Sequence, residues 1–367
     1  MKNKVLFILH IPPPVHGSSM VGGYIKDSLI INSEFETQYI NLGTSKSIYD
    51  IGKKSITKIV SYLKIIIRSI RSLIIFKPDI VYLGITAKGV GFYKDFIIAL
   101  IVRMFGSQLV LHFHNKGVSI NQSRMIDNFL YKIVFKKAKV ILLSKHLYFD
   151  IEKYIDENNV FYCANGIPDM TNNVWLDRKN KSEFNNNSPQ ILFLSNLIES
   201  KGVYVLLEAL KLLNEKRITF ICNFVGGEGD VSVSNFNYKV HELKLDKKVF
   251  YLGKKYEEDK IIIFKESDIF VHPSFSDCFP LVLLEASQFS LPMISTHEGA
   301  IPEIIKEGFN GFLVNKKDIL ALSDKLEVLI KDEKLRLKMG RNAYLKYLNN
   351  YTLEKFENNM IEILKCV

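Results

Sequence analysis

Short apolar runs of the buried-strand type recur along this chain, and helical stretches separate most of them. In order they are Lys4–Leu9, Thr37–Asn41, Ile80–Leu83, Gln108–His114, Val140–Leu143 and Val160–Cys163. The pattern restarts at Gln190–Leu194 and continues through Ile218–Val225, Val249–Leu252, Ile269–Val271, Met293–Ser295 and Phe312–Val314. Strands that alternate with helices of this length pair in parallel, because each crossover helix carries the chain back over the sheet. Two such series in 367 residues predict an α/β protein of two doubly wound, parallel-sheet domains. The expected parts are 1–168 for the first domain, 169–189 for a linker rich in Asn, Ser and Lys, 190–350 for the second domain, and 351–367 for a closing helix. A cleft between the carboxyl ends of the two sets of strands is the expected place for ligands.

Charge separates the two halves. Residues 1–168 carry 22 basic and 11 acidic side chains, whereas the remainder carries 27 and 28. The excess positive charge therefore belongs to the first half alone, which points to an anionic partner there. No apolar run reaches the roughly 18–20 residues that span a bilayer, and Lys64, Arg68 and Arg71 interrupt the best candidate. The chain runs straight into its first strand without a signal peptide. Cys163, Cys222, Cys278 and Cys366 have no paired spacing and read as reduced thiols of a cytoplasmic protein.

The stretch from His272 to Val314 says most about chemistry. Three strand-like runs bracket two helices, and the first helix is expected to open at Pro280, since proline suits a first helical position. Asp277 lies in the loop before it. Glu285 lies eight residues on, among Leu283, Leu284 and Ala286, where an acid needs a partner if it is buried. A helix start offers free N–H groups and a positive dipole end, which suit a phosphate. The pattern reads as an anion site flanked by two carboxylates able to hold hydroxyl groups.

This stretch resembles the donor-binding signature of the family 4 glycosyltransferases, retaining enzymes of the two-domain GT-B fold. That family usually shows Glu-x7-Glu within Glu-Gly-Phe-(Gly/Pro)-Leu-x-x-Leu-Glu-Ala. Here Phe279, Pro280, Leu281, Leu284, Glu285 and Ala286 match, while Asp277 replaces the first Glu and Cys278 the usual Gly. Leu291-Pro292, Gly299, Pro302-Glu303 and Asn310-Gly311 continue the match. The resemblance implies that Glu285 holds ribose hydroxyls and Asp277 the hydroxyls of the donor sugar. It places the diphosphate of a nucleotide sugar on Lys201 and the helix start from Phe279 to Leu281.

Other segments carry the same resemblance. The family has Gly-Arg-Leu followed by Lys-Gly, with both cations on the donor phosphates. Lys201 and Gly202 match, but Ser195 and Asn196 stand for Gly and Arg, so one of the two cations is missing. Gly226, in Val225-Gly226-Gly227-Glu228-Gly229, corresponds to a segment near the nucleotide, though the run reads equally as a simple turn. Gly17 follows the first strand, where the resemblance implies acceptor and phosphate contacts. Strand alternation puts His112 and His114 on one face; His114 corresponds to a histidine on the donor sugar, and His112 reads as a core histidine.

Lys53 to Phe76 reads as a basic amphipathic helix whose apolar surface is mostly core and whose basic face lies on anionic lipid. Taken together, a retaining, metal-independent glycosyltransferase is expected, since no Asp-x-Asp motif stands at a strand end. It would move a sugar from a nucleoside diphosphate sugar to a glycan or lipid-linked acceptor. The setting would be surface polysaccharide assembly (capsule, O-antigen, lipopolysaccharide) on the inner face of the plasma membrane. A sugar-nucleotide epimerase of the same fold is the alternative. A nucleic-acid-binding protein is disfavoured, because the basic residues are interleaved with Ile and Leu rather than aromatic side chains.

Overall fold

The structure, a computed structural model, describes residues 2–44, 56–171 and 188–367. The chain divides into two compact units, Met1–Gly166 with Leu353–Val367, and Ile167–Thr352. Most of the segment expected to be a linker lies outside the described residues, as does the start of the expected basic helix.

The first unit is built on a parallel sheet of β1 (Lys4–Leu9), β2 (Glu36–Asn41), β3 (Ile80–Ile85), β4 (Gln108–Phe113), β5 (Lys139–Leu142) and β6 (Val160–Tyr162), in the order β2-β1-β3-β4-β5-β6. The side chains of β3 are buried throughout, as expected of a strand covered on both faces. The helices are α1 (Gly17–Asp27), α2 (Leu29–Glu34), α3 (Ile56–Ile75), α4 (Gly89–Met104), α5 (Val118–Asn121) and α6 (Met125–Phe135). The closing helix, Leu353–Cys366, packs on α2, buries Phe356, Met360 and Leu364, and pairs Lys365 with Glu34 at 2.8 Å.

One expectation for α3 is corrected. Only a narrow stripe of Ile65, Ser69 and Leu73 is buried, while Ile56, Ile59, Leu63, Ile67 and Ile74 are exposed. Among the described residues α4 and β2 are the main neighbours of the helix, and its outward half is exposed. On the helical wheel Lys64, Arg68 and Arg71 flank the exposed apolar row.

The second unit repeats the architecture. Its strands are β7 (Gln190–Leu194), β8 (Ile221–Val225), β9 (Val249–Tyr251), β10 (Ile269–His272), β11 (Met293–Thr296) and β12 (Gly311–Val314), all parallel, in the order β12-β11-β10-β7-β8-β9. Its helices are α7 (Val203–Glu215), α8 (Val233–Glu242), α9 (Glu257–Glu266), α10 (Leu281–Gln288), α11 (Ile301–Ile304), α12 (Ile319–Lys331) and α13 (Glu333–Asn350). Phe193, Phe220 and Phe224 from the sheet side pack with Leu206 and Leu210 of α7, Phe236 of α8 and Leu326 of α12. The chain runs outward from β7 through β8 to β9. It then returns to place β10 on the other side of β7, in register Ile269 with Ile191. Such a reversal opens a crevice at the carboxyl ends of the two central strands.

Candidate functional site

The reversal in the second sheet puts the loops after β7 and β10 side by side. The β7 loop turns through Gly202, whose φ of +88° suits glycine. A Cβ there would stand 2.3 Å from the Pro273 carbonyl oxygen, so the glycine also permits close approach of the β10 loop. The two loops are then stitched together. The Ser200 carbonyl accepts from the Phe275 N–H at 2.9 Å and from the Ser274 hydroxyl at 3.1 Å. From β11, Ser295 donates to the His272 carbonyl at 2.5 Å and Thr296 donates to that of Ser274.

This framework delivers Lys201, His272 and Asp277 to one point. The Lys201 ammonium lies 2.6 Å from Asp277 Oδ1, and His272 Nε2 lies 2.8 Å from Oδ2. Buried Glu298 accepts the Asp277 N–H at 3.2 Å and pairs with Lys316. Burial by itself would raise the Asp277 carboxyl, but the His272 and Lys201 contacts outweigh it and hold the group well below the usual carboxylate range. An ionised carboxylate only accepts, so His272 donates through Nε2–H.

Two residues past Phe279 the chain enters α10. Pro280 has ψ of 114°, which is extended, so it caps the helix and Leu281 is the first helical residue. This corrects the expected start at Pro280 by one position: the Pro280 carbonyl already accepts from Leu283 at 3.1 Å, as a cap carbonyl does. Glu285 is half-buried and meets the Lys260 ammonium of α9 at 2.7 Å.

Histidines gather in the first unit at the ends of β1 and β4. The His112 and His114 rings lie 4.1 Å apart, and those of His10 and His16 lie 5.7 Å apart. Burial, with His10 and His16 nearby, pushes His114 down to about 3, and burial, His16 and Lys94 push His10 down to about 4. His16 caps α1 by accepting the Ser19 N–H on Nδ1 at 3.3 Å, and burial lowers its pKa too. His112 is fully buried and held well below its ordinary value by burial, then by His114. Its Nδ1 meets the Tyr82 hydroxyl at 2.5 Å while Nε2 has no partner among the described residues, so among these it is only half satisfied as a core histidine.

The family model for glycosyl transferases group 1 matches residues 176–346. The second unit is a group 1 glycosyl transferase domain. D-inositol 3-phosphate glycosyltransferase of Corynebacterium efficiens is 30% identical over 42% of this chain, which spans 37% of that relative's length. N,N'-diacetylbacillosaminyl-diphospho-undecaprenol alpha-1,3-N-acetylgalactosaminyltransferase of Campylobacter jejuni is 26% identical over 69% of this chain and 68% of its own. The capsular polysaccharide biosynthesis glycosyltransferase CapM of Staphylococcus aureus is 26% identical over 60% of this chain and 59% of its own. Among solved structures, Anabaena Alr3699/HepE in complex with UDP superposes with a TM-score of 0.75 at 15% identity, covering 100% of both chains. Sucrose-phosphate synthase from Thermosynechococcus elongatus gives 0.75 at 15%, covering 99% and 98%. The fold is the two-domain GT-B fold of these glycosyltransferases.

Within the glycosyl transferase domain, Lys201 and Asp277 are in direct contact, and Cys278, Phe279, Pro280, Leu281 and Glu285 follow along the same loop and helix. Asn196 accepts the Gly227 N–H at 2.9 Å, and Gly226 donates to the Gly253 carbonyl at 2.9 Å, so both belong to a second group of loops after β7, β8 and β9. Gly17 and His114 belong to the first unit. Gly17 opens α1, and a Cβ on it would meet nothing within 4 Å. Sequence reasoning missed His272, Lys260 and Glu298. His272 left a signal, a polar residue closing an apolar strand five positions before Asp277. Lys260, 25 residues from Glu285 on another helix, left none.

Proposed function

We propose that this protein is a retaining glycosyltransferase of the family 4 type, carrying a sugar from a nucleoside diphosphate sugar to a glycan or lipid-linked acceptor. The observation that carries the reading is the meeting of Lys201, His272 and Asp277 where the second sheet reverses, one loop before the start of α10. Lys201 and the N–H groups that open α10 are suited to the donor diphosphate. Asp277, ionised and using one lone pair on each oxygen, still has acceptor capacity for sugar hydroxyls. Glu285, oriented by Lys260, is suited to a ribose diol. His114, in the first unit, is neutral at physiological pH and suited to hydrogen bonding with the donor sugar.

In the proposed step the bond from the anomeric carbon to the diphosphate oxygen breaks and a bond to the acceptor hydroxyl oxygen forms on the same face. The acceptor proton passes to the departing phosphate. Charge developing on that phosphate meets Lys201 and the helix start, with no metal required.

The activities for which the Campylobacter and Staphylococcus relatives are named support a lipid-linked or capsular acceptor. The exposed apolar row of α3 with its basic flank supports docking of the first unit on anionic lipid at the cytoplasmic face of the membrane. No helix among the described residues is long and apolar enough to cross a bilayer. A panel of nucleoside diphosphate sugars, read by thermal stabilisation and by turnover with a lipid-linked glycan, tests the reading. One donor should both stabilise the protein and be consumed. A panel in which no compound does either would remove the proposal, and conversion of the donor without an acceptor would favour an epimerase.

A further inference from the structure

Glu298 lies at 1% exposure in the loop between β11 and α11. So buried a side chain presents almost nothing to a ligand, and whatever it does passes through the groups it touches. One of these is the backbone of Asp277, whose N–H it accepts on Oε1 at 3.2 Å. Another is Lys316, which comes from the loop after β12, the edge strand of the sheet. An acid in such a place is costly without a counter-charge, and Lys316 supplies it.

The loops after β10, β11 and β12 are laid one against the next. The Cys278 carbonyl accepts the Ala300 N–H at 2.8 Å, and the Val314 carbonyl accepts the His297 N–H at 3.3 Å. Gly299 has φ of +54°, and a Cβ on it would stand 2.5 Å from the Asp277 carbonyl oxygen and 2.7 Å from that of Cys278. The turn that carries Glu298 therefore needs glycine both for its backbone and for its approach to the β10 loop. Lys317, the neighbour of Lys316, lies over the ring of Phe275 in that same loop, 4.6 Å from the centroid. Lys201 and His272 fix the Asp277 carboxylate, and Glu298 fixes the backbone that carries it.

We infer that Glu298 is a positioning residue for Asp277, held in turn by Lys316, and that this relay from the edge of the sheet sets how firmly the donor's sugar is gripped. The inference rests on the nucleotide-sugar reading above, in which Asp277 meets the sugar hydroxyls and other groups hold the diphosphate. It separates two affinities: loosening Asp277 weakens the hold on the sugar and leaves the hold on the nucleotide.

The test is calorimetric binding of a panel of UDP-, GDP-, ADP- and dTDP-linked hexoses. The one that binds the parent most tightly is then compared with its own nucleoside diphosphate. Glu298→Met is close in size but cannot accept the Asp277 N–H. It should weaken the sugar nucleotide by about 10-fold, the cost of a donor left unpaired, and leave the free nucleotide within about twofold. Glu298→Gln keeps an acceptor and should stay within about threefold for both. In an Asp277→Asn background, Glu298→Met should add little to the loss, because both act through one group. Lys316→Met should repeat the pattern more weakly and Lys316→Arg should bind like the parent. Unliganded thermal unfolding checks each fold, and if Glu298→Met does not fold, Lys316→Met carries the same comparison. Equal weakening of sugar nucleotide and nucleotide, parent-like binding of both, or full additivity with Asp277→Asn overturns the inference. Failure of the parent to bind any member of the panel removes the donor reading itself and this inference with it.

Discussion

Asp277 holds Lys201 and His272 at the same time, one on each carboxylate oxygen, at 2.6 and 2.8 Å. The two partners come from the loop after β7 and from the end of β10, so this one side chain ties together the crevice it lies in. Asp277→Ala should leave an ammonium and a ring N–H in a mostly buried place without their acceptor. An unfolding loss of about 1–3 kcal/mol by urea titration is expected. Asp277→Asn should retain more stability and still lose turnover by at least about 100-fold. Because the folded carboxyl lies below its unfolded value, its contribution is complete above about pH 4 and fades as pH falls further. Acid unfolding of Asp277→Asn should be correspondingly less steep in that range.

Glu285 and Lys260 form a pair that can be tested separately from the fold. Glu285→Gln should fold normally and lose most transfer activity, while near-parental turnover would remove Glu285 from the site. Lys260→Met should raise the KM for the donor more than it lowers kcat, since it disturbs the orientation of Glu285 rather than the reacting atoms. Lys260→Arg should restore much of the difference. A fall in Tm with kinetics unchanged would show the pair to be purely structural.

The histidines of the first unit predict acid sensitivity. His10 and His114, pushed down to about 4 and about 3, and buried His112, held well below 6.5, stay neutral when folded but charge near pH 6.5 when unfolded. The unfolded chain then binds more protons, so stability is complete above about pH 6.5 and falls as pH drops toward the folded values. Three such groups give at most about 4 kcal/mol per pH unit. Thermal unfolding between pH 7.5 and 5 should show the decline, and His114→Asn should make it shallower. A flat profile would contradict the burial seen for these rings.

Docking through α3 predicts salt-sensitive binding to anionic vesicles and little binding to neutral ones. Each basic residue near such a surface contributes about 1 kcal/mol, screened beyond about 8–10 Å at ordinary salt. Changing Lys64, Arg68 and Arg71 to Gln should therefore weaken binding by roughly 100-fold. Because Ile59, Leu63 and Ile67 are exposed beside them, replacing these three by Ser should weaken it as well. If the triple Gln variant binds like the parent, the charge plays no part and a soluble acceptor becomes the better reading.

Both sheets could be read from the linear pattern because their strands are continuous apolar runs, which in a parallel sheet covered on both faces leave little ambiguity. The stretch around Asp277 and Glu285 could be read because its residues are consecutive. Pairings between distant segments could not: nothing in the spacing of Lys260 and Glu285 says that α9 and α10 bring them together. The expectation that the apolar surface of α3 is mostly core failed for a related reason. Periodicity separates apolar from polar positions, but only the neighbours decide which apolar positions are covered, and among the described residues those of α3 cover one side of it. His112 was placed correctly in the interior, yet the pairing of its Nδ1 with Tyr82 depends on side-chain directions that alternation alone does not give.

The closing helix belongs to the first unit although the whole second unit precedes it in the chain. Phe356, Met360 and Leu364 are buried parts of the first unit's core, and they are translated nearly 200 residues after Gly166. At about 5–20 residues per second, the first-made half would wait roughly 10–40 s on the ribosome for the segment that completes it. The second unit is fully translated before that segment emerges. During vectorial synthesis the order of completion is therefore reversed relative to the order of sequence, and the basic first unit is the one exposed longest to chaperones in an unfinished form.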